Sequence, residues 1–371
     1  MTSFSLNRRR LLQNAIAAAC LPIISHRLGE RNCIADEPLS TLYIPDDIDR
    51  AVKKGVQYLA DTQRDTGALA DRNHHVTMTS LAIMAMASIG TQPGDESEWG
   101  QVMQRAIDFV LTPKHQDDTG YFGKSDGSRM YGHGIITLML TEVLGMGASI
   151  DQNTRIHKAL VPALKLILAA QKVSKPQTHQ GGWRYEPRST DSDLSASVWQ
   201  LMALRSAKND GVDVPGEAID QAVKYLEASY TSPRRSRRGT GEVSGFSYTP
   251  GTHQATFTMT SAGLLAMQVC GLYDSPMVAG AAEWLMQNPP QVNERYFFYG
   301  IYYYAQGMHQ VGGKHAETAA GLVPKLLLDT QHQDGFWKPQ REENSYGQVY
   351  ATALAVLSLS VRYHYLPIYQ R

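Results

Sequence analysis

Asp191-Ser192-Asp193 stands directly before the apolar run Leu194-Ser195-Ala196-Ser197-Val198-Trp199. Carboxylates one residue apart at the mouth of a helix suit two kinds of work. A carboxyl group withdrawn from water holds its proton more tightly and can serve as a general acid. Asp is also a favoured N-cap, worth about 1 kcal/mol through a bond to a free backbone N–H. The sequence leaves both roles open for Asp193, and they are compatible. Trp183, Arg184 and Tyr185 lie in the loop just before. An Arg beside aromatic rings can hold a diphosphate or carboxylate, or it can form a plain surface ion pair. His133 and His75 stand near the start of two further apolar segments. Either could face a shared centre and pair with Asp193, or could be a structural hydrogen-bonder. Tyr299, Tyr302 and Tyr303 recur at helical spacing. With Tyr248, Trp337, Tyr346 and Tyr350 they are candidate lining residues, and core packing is the alternative.

The chain of 371 residues carries no formal net charge. That balance argues against nucleic acid as the main partner. Cys20, Cys33 and Cys270 are too few and too scattered for a disulfide framework or a cysteine-rich zinc site. The N-terminus differs from the rest. Arg8, Arg9 and Arg10 precede a short, moderately apolar run ending near Ile24, too weak to span a membrane. This pattern reads as an export signal of the twin-arginine type. Ala17-Ala18-Ala19-Cys20 adds a weak lipoprotein-like site. The expected localisation is therefore periplasmic or cell-envelope. Residues 1–40 are expected to be signal and linker, and 41–371 a single domain. The Arg- and Ser-rich stretch 232–245 is expected to project as a solvated loop.

A repeat runs through the remaining chain. "HVTMTSLAIMAMASIG" (75–90) aligns without a gap on "TFTMTSAGLLAMQVCG" (256–271). Segments 193–208 and 348–363 share the register, and 130–145 and 297–312 are looser copies. Each is apolar on all faces, which implies burial on all sides. Each follows a more amphipathic segment, so twelve helices alternate between an outer and an inner layer. Repeats of this length mean arrays or closed rings of hairpins. Uniformly buried inner helices favour closure, because an open stack needs polar outer faces on its end repeats. The expected fold is all-α, a six-hairpin α/α toroid. The outer-to-inner loops share Gln-x-x-x-Gly-x-(aromatic or Leu), as in "QRDTGAL", "QDDTGYF" and "QHQDGFW". Gly permits a tight turn, the aromatic packs back on the barrel, and the Gln amide can satisfy carbonyls left free at a helix end.

These loops, with "QHQDGFW" a full match and "GGWRYEPRSTDSDLSASVWQLMAL" also similar, resemble the Gln-Trp repeats of the squalene–hopene cyclase and oxidosqualene cyclase superfamily, whose toroid protein prenyltransferase β-subunits share. The resemblance covers most of residues 45–365. It implies a class II terpenoid cyclase site, with Asp193 as the protonating acid and Asp191 in support. Aromatic faces would then stabilise carbocations. The chain departs from the family's Asp-x-Asp-Asp motif at Leu194, and it holds one barrel where squalene–hopene cyclases pair two. The prenyltransferase zinc pattern is missing around Cys270, so no metal or other cofactor is implied. The alternatives are an exported carbohydrate-active toroid, a lyase or hydrolase using Arg184, Lys338, His133 or the acids, and a non-catalytic scaffold. The expected partner is a small apolar or sugar ligand, with a protein partner left open.

Overall fold

The structure, a computed structural model, describes residues 46–231 and 243–370. The expected export segment, and most of the basic loop 232–245, lie outside the described residues. Within them the chain forms twelve α-helices and only isolated β-bridges. In chain order the helices are Asp47–Asp61 (α1), His75–Ala87 (α2), Glu98–Val110 (α3), Arg129–Glu142 (α4), Ile150–Gln171 (α5) and Leu194–Asn209 (α6). Gly216–Ser229 (α7), Phe257–Val269 (α8), Pro276–Gln287 (α9), Phe297–Val311 (α10), Gly313–Leu328 (α11) and Gln348–Leu359 (α12) complete the set.

The even-numbered helices form the inner ring. Each packs on the next, and α12 returns to pack on α2, so the ring closes. Their sequences require this. Every residue of α8 is buried, as is every residue of α2 after His75. A helix without a polar face is stable only when it is surrounded. The odd-numbered helices form the outer layer. Chain order is outer then inner, yet each outer helix packs mainly on the inner helix before it: α3 on α2, α5 on α4 and so on, with α1 on α12. The long outer-to-inner loops therefore cross from one hairpin to the next.

Those loops are built by the Gln-Gly-aromatic repeat. The Nε2 of Gln63, Gln116, Gln171 and Gln331 donates to the carbonyl of Gly67, Gly120, Gly181 and Gly335 in its own loop. The same amides donate to Val102, Ala159, Ala218 and Ala51, each on the next outer helix around the ring. The Gln thus ties adjacent outer helices together rather than finishing its own helix. The Gly is required twice over. Gly335 has φ 93°, and a Cβ there would stand 2.3 Å from the Lys54 carbonyl. The buried Leu69, Phe122, Trp183, Phe246 and Trp337 then return to the barrel. The backbone N–H of each donates to a side chain early in the following inner helix: Thr79, His133, Ser197, Thr260 and Thr352.

Gln331→Ala removes the clamp between the last loop and the first outer helix. It leaves the Ala51 and Gly335 carbonyls without that donor, a cost of about 1–3 kcal/mol. The expected result is a lower denaturant midpoint with an unchanged slope.

The inner helices run parallel, so their N-termini share one end of the ring and their C-termini the other. The C-terminal end is covered by the tail after α12. Ile368 N–H donates to the Glu142 carboxylate at the end of α4 at 3.3 Å, and Ser206 of α6 donates to the same group at 2.6 Å. The buried Tyr369 bonds hydroxyl to hydroxyl with Tyr302 of α10. No helix among the described residues is long and apolar enough to cross a membrane.

Candidate active site at the N-terminal mouth of the ring

At this N-terminal end the inner helices present N–H groups that have no partner within their own helix, and these favour negative charge. Carboxylates answer them in a pattern that spans hairpins. Asp71, in the loop before α2, accepts from Gln348 and Val349 N–H of α12. Asp126, in the loop before α4, accepts from Thr77 N–H of α2 at 3.0 Å. Glu343, in the loop before α12, accepts from Phe298 and Tyr299 N–H of α10 at 3.1 and 3.0 Å. Each loop thus sends an acid back to the preceding inner helix.

Asp193 behaves differently, because it caps its own helix. Its backbone is extended, and Oδ1 accepts from Ala196 N–H at 2.9 Å and from the Ser195 hydroxyl at 2.6 Å. Its second oxygen, Oδ2, is buried and makes no hydrogen bond. The Nε of Arg184 lies 3.7 Å from it. Burial raises this carboxyl's pKa, opposed by Ser195, the Ala196 N–H and Arg184. The side chain is 0% exposed, so desolvation prevails.

Arg184 organises the rim. It pairs with Asp191 at 3.0 Å, and its guanidinium lies over the rings of Tyr185 and Tyr248, 4.9 and 5.8 Å from their centroids. Asp191 is half-exposed and reaches Asp193 through this shared arginine. Tyr185 and Tyr248 bond hydroxyl to hydroxyl. Tyr131 of α4 stacks on Tyr185 at 5.7 Å and bonds the Ser195 hydroxyl. Tyr299 of α10 donates to the Ser195 carbonyl at 2.9 Å, and Tyr303 donates to Tyr299. Burial, the largest cause, pushes the Tyr131 and Tyr299 hydroxyls up, and the charge of Asp193 adds to it. They remain protonated donors. The structure therefore brings together Asp191, Asp193, Arg184, Tyr185, Tyr248 and Tyr299, and adds Tyr131 and Ser195, which sequence reasoning missed.

The other expected site residues lie elsewhere. His133 is fully buried on α4, at the position that Thr79 and Thr352 hold in other copies. One ring nitrogen accepts from Phe122 N–H and the other bonds the Ala163 carbonyl at 3.1 Å. Burial lowers its pKa to about 4, so it is neutral, and it does not meet Asp193. Trp183 and Trp337 are buried wedges whose indoles donate to Ile167 and Leu327. Tyr302 lies deep, stacked on Trp199 at 5.9 Å with 8° between planes. His75 opens α2, partly exposed. Tyr346 and Tyr350 pack together at 5.0 Å beside Glu343, to which Tyr350 donates at 3.0 Å. Among the described residues no group of three or more His, Cys, Asp or Glu side chains is placed to hold a metal ion.

Burial raises Glu343 to about 7 from an ordinary 4.5, although four donors oppose the shift. The folded state therefore binds this proton more tightly than the unfolded chain. The associated stability is complete below the unfolded value and is lost as pH rises through 7. The span corresponds to about 3 kcal/mol. Glu343→Gln is expected to flatten the fall in stability between pH 5 and 8. Parallel melts of both proteins across that range check it.

No protein-family model matches the chain, and no curated protein does. Solved structures do. An inactive variant of the α-1,6-mannanase GH76A of Salegentibacter sp. HEL1_6, in complex with α-1,6-mannotetrose, superimposes with a TM-score of 0.59 at 9% identity. It covers 86% of this chain and 99% of that one. The type II terpene cyclase MstE from Scytonema, bound to geranylgeranyl dihydroxybenzoate, gives 0.53 at 12%, over 86% and 98%. A sugar epimerase from a ruminal bacterium gives 0.56 at 12%, over 85% and 98%. What the chain shares with all three is the α/α toroid.

Proposed function

We propose that the N-terminal mouth is a catalytic site for a hydroxylated ligand of the sugar class, with Asp193 as its acid–base group. The observation that carries this is the unbonded, buried Oδ2 of Asp193. Three other mouth carboxylates, Asp71, Asp126 and Glu343, are engaged with backbone N–H groups. Asp193 uses one oxygen for that and keeps the other for a ligand. A raised pKa lets it hold a proton for a leaving oxygen, and Arg184 then steadies the carboxylate. The partly exposed Tyr131, Tyr185, Tyr248 and Tyr299 bring hydroxyl groups to the rim, which suit a hydroxylated ligand. The mannanase and the epimerase carry sugar chemistry on the same fold.

The terpenoid cyclase reading stands second, supported by the buried acid. Ser195 and the Ala196 N–H give its conjugate base some of the help that Leu194 cannot. Against it stands Arg184, a fixed cation beside the acid, whose guanidinium already occupies the faces of Tyr185 and Tyr248. A developing carbocation there would meet like charge. Below the mouth, Trp199, Tyr302 and Tyr303 meet at the ring centre, where an extended prenyl chain would have to lie.

Turnover of a panel of mannans, other glycans and prenyl diphosphates by the wild-type protein and by Asp193→Asn tests the proposal. Glycan turnover lost in the variant supports it. Cyclisation of a prenyl substrate selects the second reading, and binding without turnover indicates a scaffold. Export belongs with the sugar reading, because polymeric glycans lie outside the cell. Arg8→Lys combined with Arg9→Lys is expected to keep a fused reporter in the cytoplasm, and export at the wild-type level would refute the twin-arginine assignment.

A further inference from the structure

At the opposite end of the ring, His309 and His364 bring their Nε2 atoms to 3.0 Å, with ring centroids 4.7 Å apart and planes at 50°. His309 lies in the last turn of α10. His364 belongs to the tail that crosses beneath the ring. We infer that this pair is a binding site for a divalent transition-metal ion of the zinc, nickel or copper class, and that the ion pins the tail to α10. The inference is independent of the proposed function, since the pair lies away from Asp193.

The distances fit chelation. With bonds of about 2.0 Å, two neighbouring nitrogens stand about 2.8 Å apart in a square-planar set and about 3.3 Å apart in a tetrahedral one. The observed 3.0 Å lies between these values. Imidazole is the ligand type that zinc, nickel and copper share. Small rotations about each ring torsion, which is soft, turn both lone pairs onto one ion. His364 is exposed and His309 partly so, leaving room for water to complete the coordination.

The backbone is prepared for this contact. His364 adopts φ 55°, ψ 30°, the left-handed region that non-glycine residues seldom enter. It is held there on both sides. Gln370 Nε2 donates to its carbonyl at 2.9 Å, and Arg362, two residues earlier, pairs with Asp46 at 2.6 Å. A tail so fixed presents its imidazole to α10 before any ion arrives, which lowers the ordering cost of binding. Its far end is Tyr369, bonded to Tyr302, which stacks on Trp199. An ion on the pair would therefore stabilise the plug that fills the ring centre.

The test uses the full-length, metal-stripped chain titrated with zinc, nickel and copper(II) chloride in a calorimeter. One saturable site per chain and a higher melting temperature with metal are expected. His309→Ala and His364→Asn should each weaken binding about tenfold or more, because a chelate becomes a single ligand. Asn tolerates the left-handed backbone, so His364→Asn separates ligand loss from misfolding. Copper(II) electron paramagnetic resonance should show two nitrogen ligands in the wild type and one in either variant. Absence of saturable binding, or affinity within about twofold of wild type in His364→Asn, overturns the inference.

Discussion

Asp193→Asn is expected to leave the toroid folded and to cut turnover about 10²–10⁴-fold. The two halves of this expectation come from the two oxygens of one side chain. Oδ1 is the cap of α6, and Asn caps about as well as Asp because its carbonyl oxygen can accept the same Ala196 and Ser195 donors. Oδ2 is the oxygen that could carry a proton to a ligand, and an amide cannot do so. In Asn that position becomes an NH₂ group facing Arg184, donor against donor, so a stability loss of up to about 1 kcal/mol is expected. Asp193→Ala serves as the contrast. It removes the cap as well and leaves Arg184 with Asp191 alone, so both stability and turnover should fall. Wild-type turnover in Asp193→Asn, with a substrate that the wild-type protein processes, would reduce Asp193 to a cap.

That double role explains why part of the site was legible in the sequence and part was not. Asp193 could be found because a cap belongs to its own helix, one residue before Leu194. The inner helices could be found because burial on all sides removes the polar face from sequences such as "TFTMTSAGLLAMQVCG". Glu343 could not be found that way. Its partners, Phe298 and Tyr299, lie on a different hairpin, and nothing in "REENS" records which helix the loop will reach. Asp71 and Asp126 were hidden for the same reason. His133 misled because histidine suggests chemistry, whereas its position in the repeat is that of Thr79, a holder of the loop backbone. A gapless comparison of "HVTMTSLA" with "MYGHGIIT" does not show this, because α4 begins one residue early. The Gln of each loop was expected at its own helix end. It serves the neighbouring outer helix instead, 39 to 47 residues further on for Gln63, Gln116 and Gln171, and only the Gln331 contact to Ala51 needs the ring to close.

Closure gives the largest expected effect on stability. Trp337→Ala should cost about 3–5 kcal/mol, the range for emptying a buried Trp site. Three elements meet at this residue. Its indole N–H donates to Leu327 of α11 at 2.7 Å, and its backbone N–H donates to Thr352 of α12 at 3.1 Å. Its ring fills the space over Gly55 of α1, where an added Cβ would stand 3.0 Å from the Trp337 Cζ3. The backbone bond survives truncation, but the indole bond and the packing do not. Because α1 rests mainly on α12, the loss falls at the seam where the first and last of the described helices meet. Local opening of α1 should then precede global unfolding. Hydrogen exchange in residues 47–61 should quicken more than in α4 or α6. Trp183→Ala, which empties the equivalent wedge in mid-chain, should cost a similar amount without that selective effect on α1. Trp337→Phe retains much of the ring packing and loses the Leu327 bond, so it should lie between wild type and alanine. If exchange rises evenly around the ring in Trp337→Ala, the seam is no weaker than any other junction, and the toroid opens as one cooperative unit.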